Sequence, residues 1–261
     1  MEDFTFDVTG LQLGLQIALI CVGVLIAIVG AVSLTVSVWL SIKYYRFNRK
    51  ENSVHLTGEQ TARRILDENG LQHIKVKATG SLLFGNSYSH YFKKVRIRRL
   101  TRHKTSVTAL GMGAQKACLA ILDKEKDPDM KKRVRLYPLI TFGPFAFIPL
   151  ITIGVLIDYF LLNQSGICTY VLAGLGVLLY AYSIVLSVAT LKTEKKAQER
   201  AWVILQESNM ATADELTDLK ELFHLYNVQY VNDIILSSLE LLRLLLQIAL
   251  AFVNKEAPSK S

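Results

Sequence analysis

The chain has 261 residues, of which 51% are hydrophobic, a mean hydropathy of +0.30 and a net charge of +8. That is too apolar for an average soluble domain and too charged for a wholly embedded one, so it points to a multi-span membrane protein with a modest extramembrane part. The generic partners of such a charge are membranes, anionic lipids and nucleic acids, and the plainest reading is a solvated, positive inside loop.

The chain opens with an acidic tail, residues 1–10, carrying Glu2, Asp3 and Asp7 and no Lys or Arg. Signal peptides and presequences have positive N-termini, so the apolar run that follows is expected to stay as an anchor. That run, residues 11–42, has no charge at all and exceeds the roughly 20 residues needed to cross a bilayer. Trp39 sits near its end as an interfacial anchor, and Lys43, Arg46, Arg49 and Lys50 follow it. Acid before the span and base after it predict the N-terminus outside and residue 43 onward inside.

Residues 43–135 are the expected basic extramembrane domain, with 22 Lys and Arg against 8 Asp and Glu, a balance of +14. Thr57 and Gln60 have the spacing of a capping box at a helix start. Ala62, Ile65 and Leu66 form that helix's apolar face, and Gly70 ends it. Two strands are predicted, one around Ile74, Val76 and Ala78 and one around Val95 and Ile97, with Gly80, Gly85, Asn86 and Ser87 as turn residues between them. The second strand belongs to a run of seven cations without an acid: Lys93, Lys94, Arg96, Arg98, Arg99, Arg102 and Lys104. It is a candidate basic surface for anionic lipid or an acidic partner, or a plainly solvated face. Nucleic acid is disfavoured, because few aromatics accompany the cations and no nucleic-acid-binding signature does.

Residues 106–122, SVTALGMGAQKACLAIL, read as a buried central helix whose only strongly polar residues are the adjacent Gln115 and Lys116. A charged linker with Pro128 as breaker then leads to a second span, residues 136–162, with Pro138, Pro144 and Pro149 inside it. A third span is expected at 170–191, a polar helical stretch at 192–231 with a second capping box at Thr212 and Glu215, and a fourth span at 234–253. Glu240 and Arg243 lie one helical turn apart in the last span and are expected to form an intramembrane ion pair, since charge at membrane depth is costly. Residues 254–261 read as a disordered tail. Cys21, Cys118 and Cys168 show no CxxC spacing and read as small core hydrophobes. The fold class is therefore mostly α, a polytopic membrane protein with about four transmembrane helices and a small basic α+β extramembrane domain.

The order of parts resembles the YugP-like family of membrane-embedded zinc metallopeptidases. The resemblance is carried by LTGEQTARRILDENGL (56–71), by the ungapped run from Ser106, and by TADELTDLKELF followed by SLELLRLLL. It implies a HExxH signature on the central helix, in which two His four apart hold zinc and the Glu activates water, with a later Glu as third ligand. The matching positions here are Gln115 and Leu119 for the two His, Lys116 for the catalytic Glu, and Glu194 for the later Glu. Neutral Gln is a poor zinc ligand, Leu is none, and a charged Lys neither accepts a proton from water nor tolerates a nearby cation. Glu194 either pairs with Lys116 or faces solvent among its lysine neighbours. No two of His55, His73, His90, His103 and His224 have helical ligand spacing.

The expectation is a catalytically inactive relative, with no catalytic residue, metal or cofactor, acting as a structural or adaptor subunit beside other membrane-protein subunits. No small-molecule substrate is implied. The expected membrane is a bacterial plasma membrane or a mitochondrial inner membrane. The alternatives are an active peptidase with an atypical site or a catalytic partner, and a non-enzymatic transport or lipid-binding protein; transport is disfavoured by the absence of duplicated halves.

Overall fold

A computed structural model describes residues 8–79, 85–161 and 166–256. The acidic N-terminal tail and the C-terminal tail lie almost entirely outside the described residues. Among the described residues seven helices and three strands follow in chain order, grouped into two compact units.

The apolar unit takes residues up to 35, 142–184 and from 232 on. Among the described residues three helices are long and apolar enough to cross a membrane, α1 (Val8–Phe47), α6 (Ile167–Glu207) and α7 (Ala213–Glu256). Among the described residues α5 (Pro128–Phe160) contributes a shorter apolar stretch, Ile148–Phe160, within the apolar run that starts in sequence at Leu136. This is a multi-pass integral membrane protein. α5 runs as one helix through the positions of Pro138, Pro144 and Pro149. Where α5 ends and α6 begins, the buried Asp158 carboxylate accepts from the Cys168 amide at 3.0 Å, the Thr169 amide at 2.7 Å and the Thr169 hydroxyl at 2.7 Å. It thereby satisfies amide groups that the first turn of α6 leaves unpaired. Cys21 is exposed on α1, which corrects its expected place in a core.

The second unit, residues 36–141 and 185–231, holds the sheet and the buried core. α2 (Gly58–Glu68) starts at the expected capping box, with Thr57 and Gln60 each bonding the other's backbone, and ends before Gly70 at φ +67°. The sheet has three strands in the order β1-β3-β2, namely β1 (Lys75–Thr79), β2 (Ser87–Ser89) and β3 (Lys94–Arg98). β1 runs parallel to β3 and β2 antiparallel to it, so Val95 lies between Val76 and Tyr88. β2 corrects the sequence reading, which gave Ser87 to a turn; the segment pairs because Tyr88 is buried beside Val95 on the core face. A one-turn helix, α3 (Arg99–Arg102), leads to α4 (Val107–Lys124).

α4 is the expected central helix, and every residue from Val107 to Leu122 is buried. Ser106 caps it, accepting from the Ala109 amide at 3.1 Å while donating to the Asn48 side chain at 2.8 Å. α4 packs against α2 and the sheet. Pro128 does not break a linker but opens α5. Its missing N–H falls where a helix leaves N–H groups unpaired anyway, and Asp127 caps that start by accepting from the Asp129 and Met130 amides at 3.0 and 3.1 Å. The polar stretch 192–231 is the end of α6, a turn, and the start of α7. There Glu215 accepts from the Thr212 amide at 2.7 Å, and also from the Ser53 amide and hydroxyl at 2.6 and 2.8 Å.

Candidate functional site

A helix buried on every side has no place for unpaired charge, so the two polar residues in the middle of α4 demand partners. Both find the same one. Glu194, on α6, accepts from the Gln115 side-chain amide at 2.8 Å and from the Lys116 ammonium at 2.7 Å, both at Oε2. Its Oε1 accepts from the Arg133 guanidinium of α5 at 2.8 Å, and the same guanidinium donates to the Thr193 hydroxyl at 2.9 Å. Glu194 is 2% exposed and Lys116 6%. The solvent-facing alternative for Glu194 is therefore overturned: its three lysine neighbours in sequence, Lys192, Lys195 and Lys196, do not prevent one helix face from packing inward.

Two cations thus share one carboxylate inside the protein. A carboxylate has about four lone-pair directions, and three are engaged. Burial pulls the Lys116 ammonium below the ordinary lysine range, and the attraction of Glu194 works against that pull. Leu119, one turn further along α4, is fully buried and apolar and packs in the core. As built, the cluster ties α4, α5 and α6 together by charge-assisted hydrogen bonds. Among the described residues no three His, Cys, Asp or Glu side chains converge in a way that could hold a metal ion.

Arg133 is the residue that sequence reasoning missed. Nothing in the local string KKRVR separates it from its neighbours; only the fold aims it at Glu194. Asp127 and Asp129 were also passed over, and both pair with Lys196, at 2.8 and 2.7 Å.

The other candidate positions are dispersed. The seven-cation run does not form one free basic face. Arg102 makes a two-bonded pair with Glu59, both contacts at 2.7 Å, and Lys93 lies 3.6 Å from Asp123. Arg98 lies over the Tyr44 ring, 6.0 Å from its centre. Lys94 and Arg96 lie over Phe92, while Arg99 and Lys104 are exposed. The Glu240–Arg243 ion pair is not among those of the described residues. Glu240 instead accepts from the Tyr180 hydroxyl at 3.1 Å, a neutral donor supplied by α6. His90 and Tyr88 both contact the Asp123 carboxylate at 2.6 Å, a cluster at the edge of the sheet and separate from Glu194. A cleft of about 610 Å³ on this unit lies between α6 and α7 around Trp202 and Phe223. Neither Glu194 nor Lys116 lines it.

Comparison with known proteins gives a consistent picture. Residues 22–249 match a family described as "putative neutral zinc metallopeptidase". A curated relative, the "putative membrane protease YugP" of Bacillus subtilis (strain 168), is 26% identical over 218 residues, covering 81% of this chain and 91% of that protein. No solved structure matches the chain.

Proposed function

Because the chain belongs to the neutral zinc metallopeptidase family, we propose that it keeps the scaffold of that family without its catalysis and serves as a structural or adaptor subunit of a larger membrane assembly. The observation that carries this reading is the Lys116–Glu194 contact at 2.7 Å. By the family resemblance, Lys116 stands where a water-activating Glu belongs, and Glu194 where a metal ligand belongs.

Zinc takes four donors, of which a catalytic site supplies three from protein nitrogen, sulfur or carboxylate. The residues here do not fit it. Gln115 uses its amide to donate to Glu194, Leu119 has no donor atom, and the remaining carboxylate is engaged by Gln115, Lys116 and Arg133. An ammonium at 2.7 Å from that carboxylate supplies the positive charge a metal would otherwise bring. No hydrolytic step is derived from this arrangement, because a protonated Lys116 cannot take a proton from water.

The adaptor role rests on what remains when catalysis is removed: a multi-pass anchor and a compact unit with a +14 excess over residues 43–135. The Bacillus relative favours the bacterial plasma membrane over the mitochondrial one. The test is metal analysis of the full chain purified in mild detergent, together with mass spectrometry of what co-purifies. Zinc well below one per chain, and partners in fixed ratio, are expected. One zinc per chain, or casein cleavage that disappears in Lys116→Ala, would overturn the inactive reading. A chain that purifies alone at every detergent strength would overturn the adaptor reading.

A further inference from the structure

The turn between β2 and β3 carries two aromatic side chains that the core does not use. Tyr91 is 61% exposed and Phe92 62%. A phenyl ring in water is unfavourable by its apolar area, and here it stands at the tip of an ordered hairpin.

Three observations say what covers it. The first is position. The Tyr91 hydroxyl donates to the Val134 carbonyl of α5 at 3.0 Å, and the apolar run of α5 begins two residues later at Leu136. At 1.5 Å per residue, the hairpin tip is held within about 3 Å, along the helix, of the point where α5 turns apolar. The second is charge. The Lys94 ammonium lies 5.2 Å from the centre of the Phe92 ring and the Arg96 guanidinium 6.0 Å. Among the described residues no carboxylate pairs with either cation, unlike Arg102 and Lys93 of the same run. The third is the pairing of types. Aromatic rings with one face apolar and cations beside them are the side chains that settle at the level of lipid headgroups.

We propose that the β2–β3 turn is a membrane-surface contact, with Phe92 seated among the lipid acyl ends and glycerols and Lys94 and Arg96 held to the phosphates of anionic phospholipid. Each cation near an anionic surface adds a salt-screened attraction, and two bias a hairpin already tethered beside the apolar run of α5. The contact fixes the sheet against the membrane and is independent of whether Glu194 and Lys116 are catalytically silent.

The test uses the full chain in proteoliposomes with a nitroxide on Phe92→Cys, in a Cys21→Ser, Cys168→Ser background. Collision with oxygen and with a water-soluble nickel chelate is compared in phosphatidylcholine alone and in phosphatidylcholine with phosphatidylglycerol. In the anionic vesicles the label is expected to gain oxygen contact and lose nickel contact several-fold. Lys94→Glu with Arg96→Glu, or high salt, should reverse this. Equal nickel contact in both vesicle types, or in wild-type and charge-reversed chains, overturns the proposal. Hydrogen exchange over residues 88–96 of the unmodified chain supplies a second reading: slower exchange in anionic than in neutral vesicles is expected, and identical exchange counts against it.

Discussion

Gly113 on α4 lies so close to the backbone carbonyl of Gly58 on α2 that no methyl group fits between them. Gly58 is equally constrained, since a Cβ there would lie 2.8 Å from the Thr101 carbonyl oxygen. The two helices meet backbone to backbone, and backbone cannot move aside as a flexible side chain can. Gly113→Ala is therefore expected to destabilise the chain by about 1–3 kcal/mol, the usual range for overpacking. Thermal unfolding in detergent reads it directly. A melting temperature unchanged from wild type would show that the helices separate without cost.

Glu194 compensates two cations, Lys116 and Arg133, and its removal leaves both in a low-polarity interior. Glu194→Gln is expected to cost about 3–5 kcal/mol, the range for stranding a buried charge. Lys116→Met should cost less, because Arg133 still neutralises the carboxylate. The decisive comparison is the double variant Lys116→Met, Glu194→Gln, which should be more stable than Glu194→Gln alone. If it is less stable, the two residues do not act as a pair.

Cys118 is wholly enclosed in α4, and burial pushes its thiol up to about 12. At pH 8 the thiolate fraction is then about 10⁻⁴, and the thiolate is the reactive form. Iodoacetamide should leave the peptide containing Cys118 unmodified in the native protein and alkylate it after denaturation. Peptide mass mapping distinguishes the two, and fast labelling of the native chain would contradict the burial.

Asp127 offers a pH test. Partial burial raises its carboxyl, but the Lys196 ammonium and the Met130 and Asp129 amides outweigh that and hold it below the usual carboxylate value. A depressed folded pKa means stability that is present above the unfolded value of about 3.9 and lost as pH falls through the folded one. Asp127→Ala should cost about 1 kcal/mol near neutrality as a lost helix cap. The gap to wild type should close as pH falls from about 4 toward 2. A gap that stays constant across that window would remove the ionised carboxylate from the account.

Much of this was legible because it is local. The capping boxes at Thr57 and Thr212, the start of α4 at Ser106 and the stop at Gly70 each depend on residues within one turn. The burial of α4 was legible from composition alone. The Lys116–Glu194 contact was one of two alternatives, and it was the family resemblance that singled out both residues. What escaped was tertiary. Arg133 meets Glu194 across 61 positions. β2 is three residues long and surrounded by turn signals, so no alternation announces it. Pro128 was read by its usual effect inside a helix, whereas its position at the first turn of α5 has the opposite meaning. Arg102 was counted as free because its acid, Glu59, comes from another helix.

Asp158 has a consequence for how the chain is made. A carboxylate at the far end of an apolar helix resists passage through a bilayer when that helix travels alone. Here three donors to it lie ten and eleven residues ahead, on the first turn of α6. These three bonds form only once Cys168 and Thr169 have emerged from the ribosome and folded back. Insertion of α5 and α6 as a single hairpin, with the charge already paired to the start of α6, is the route that this pairing favours over one helix at a time.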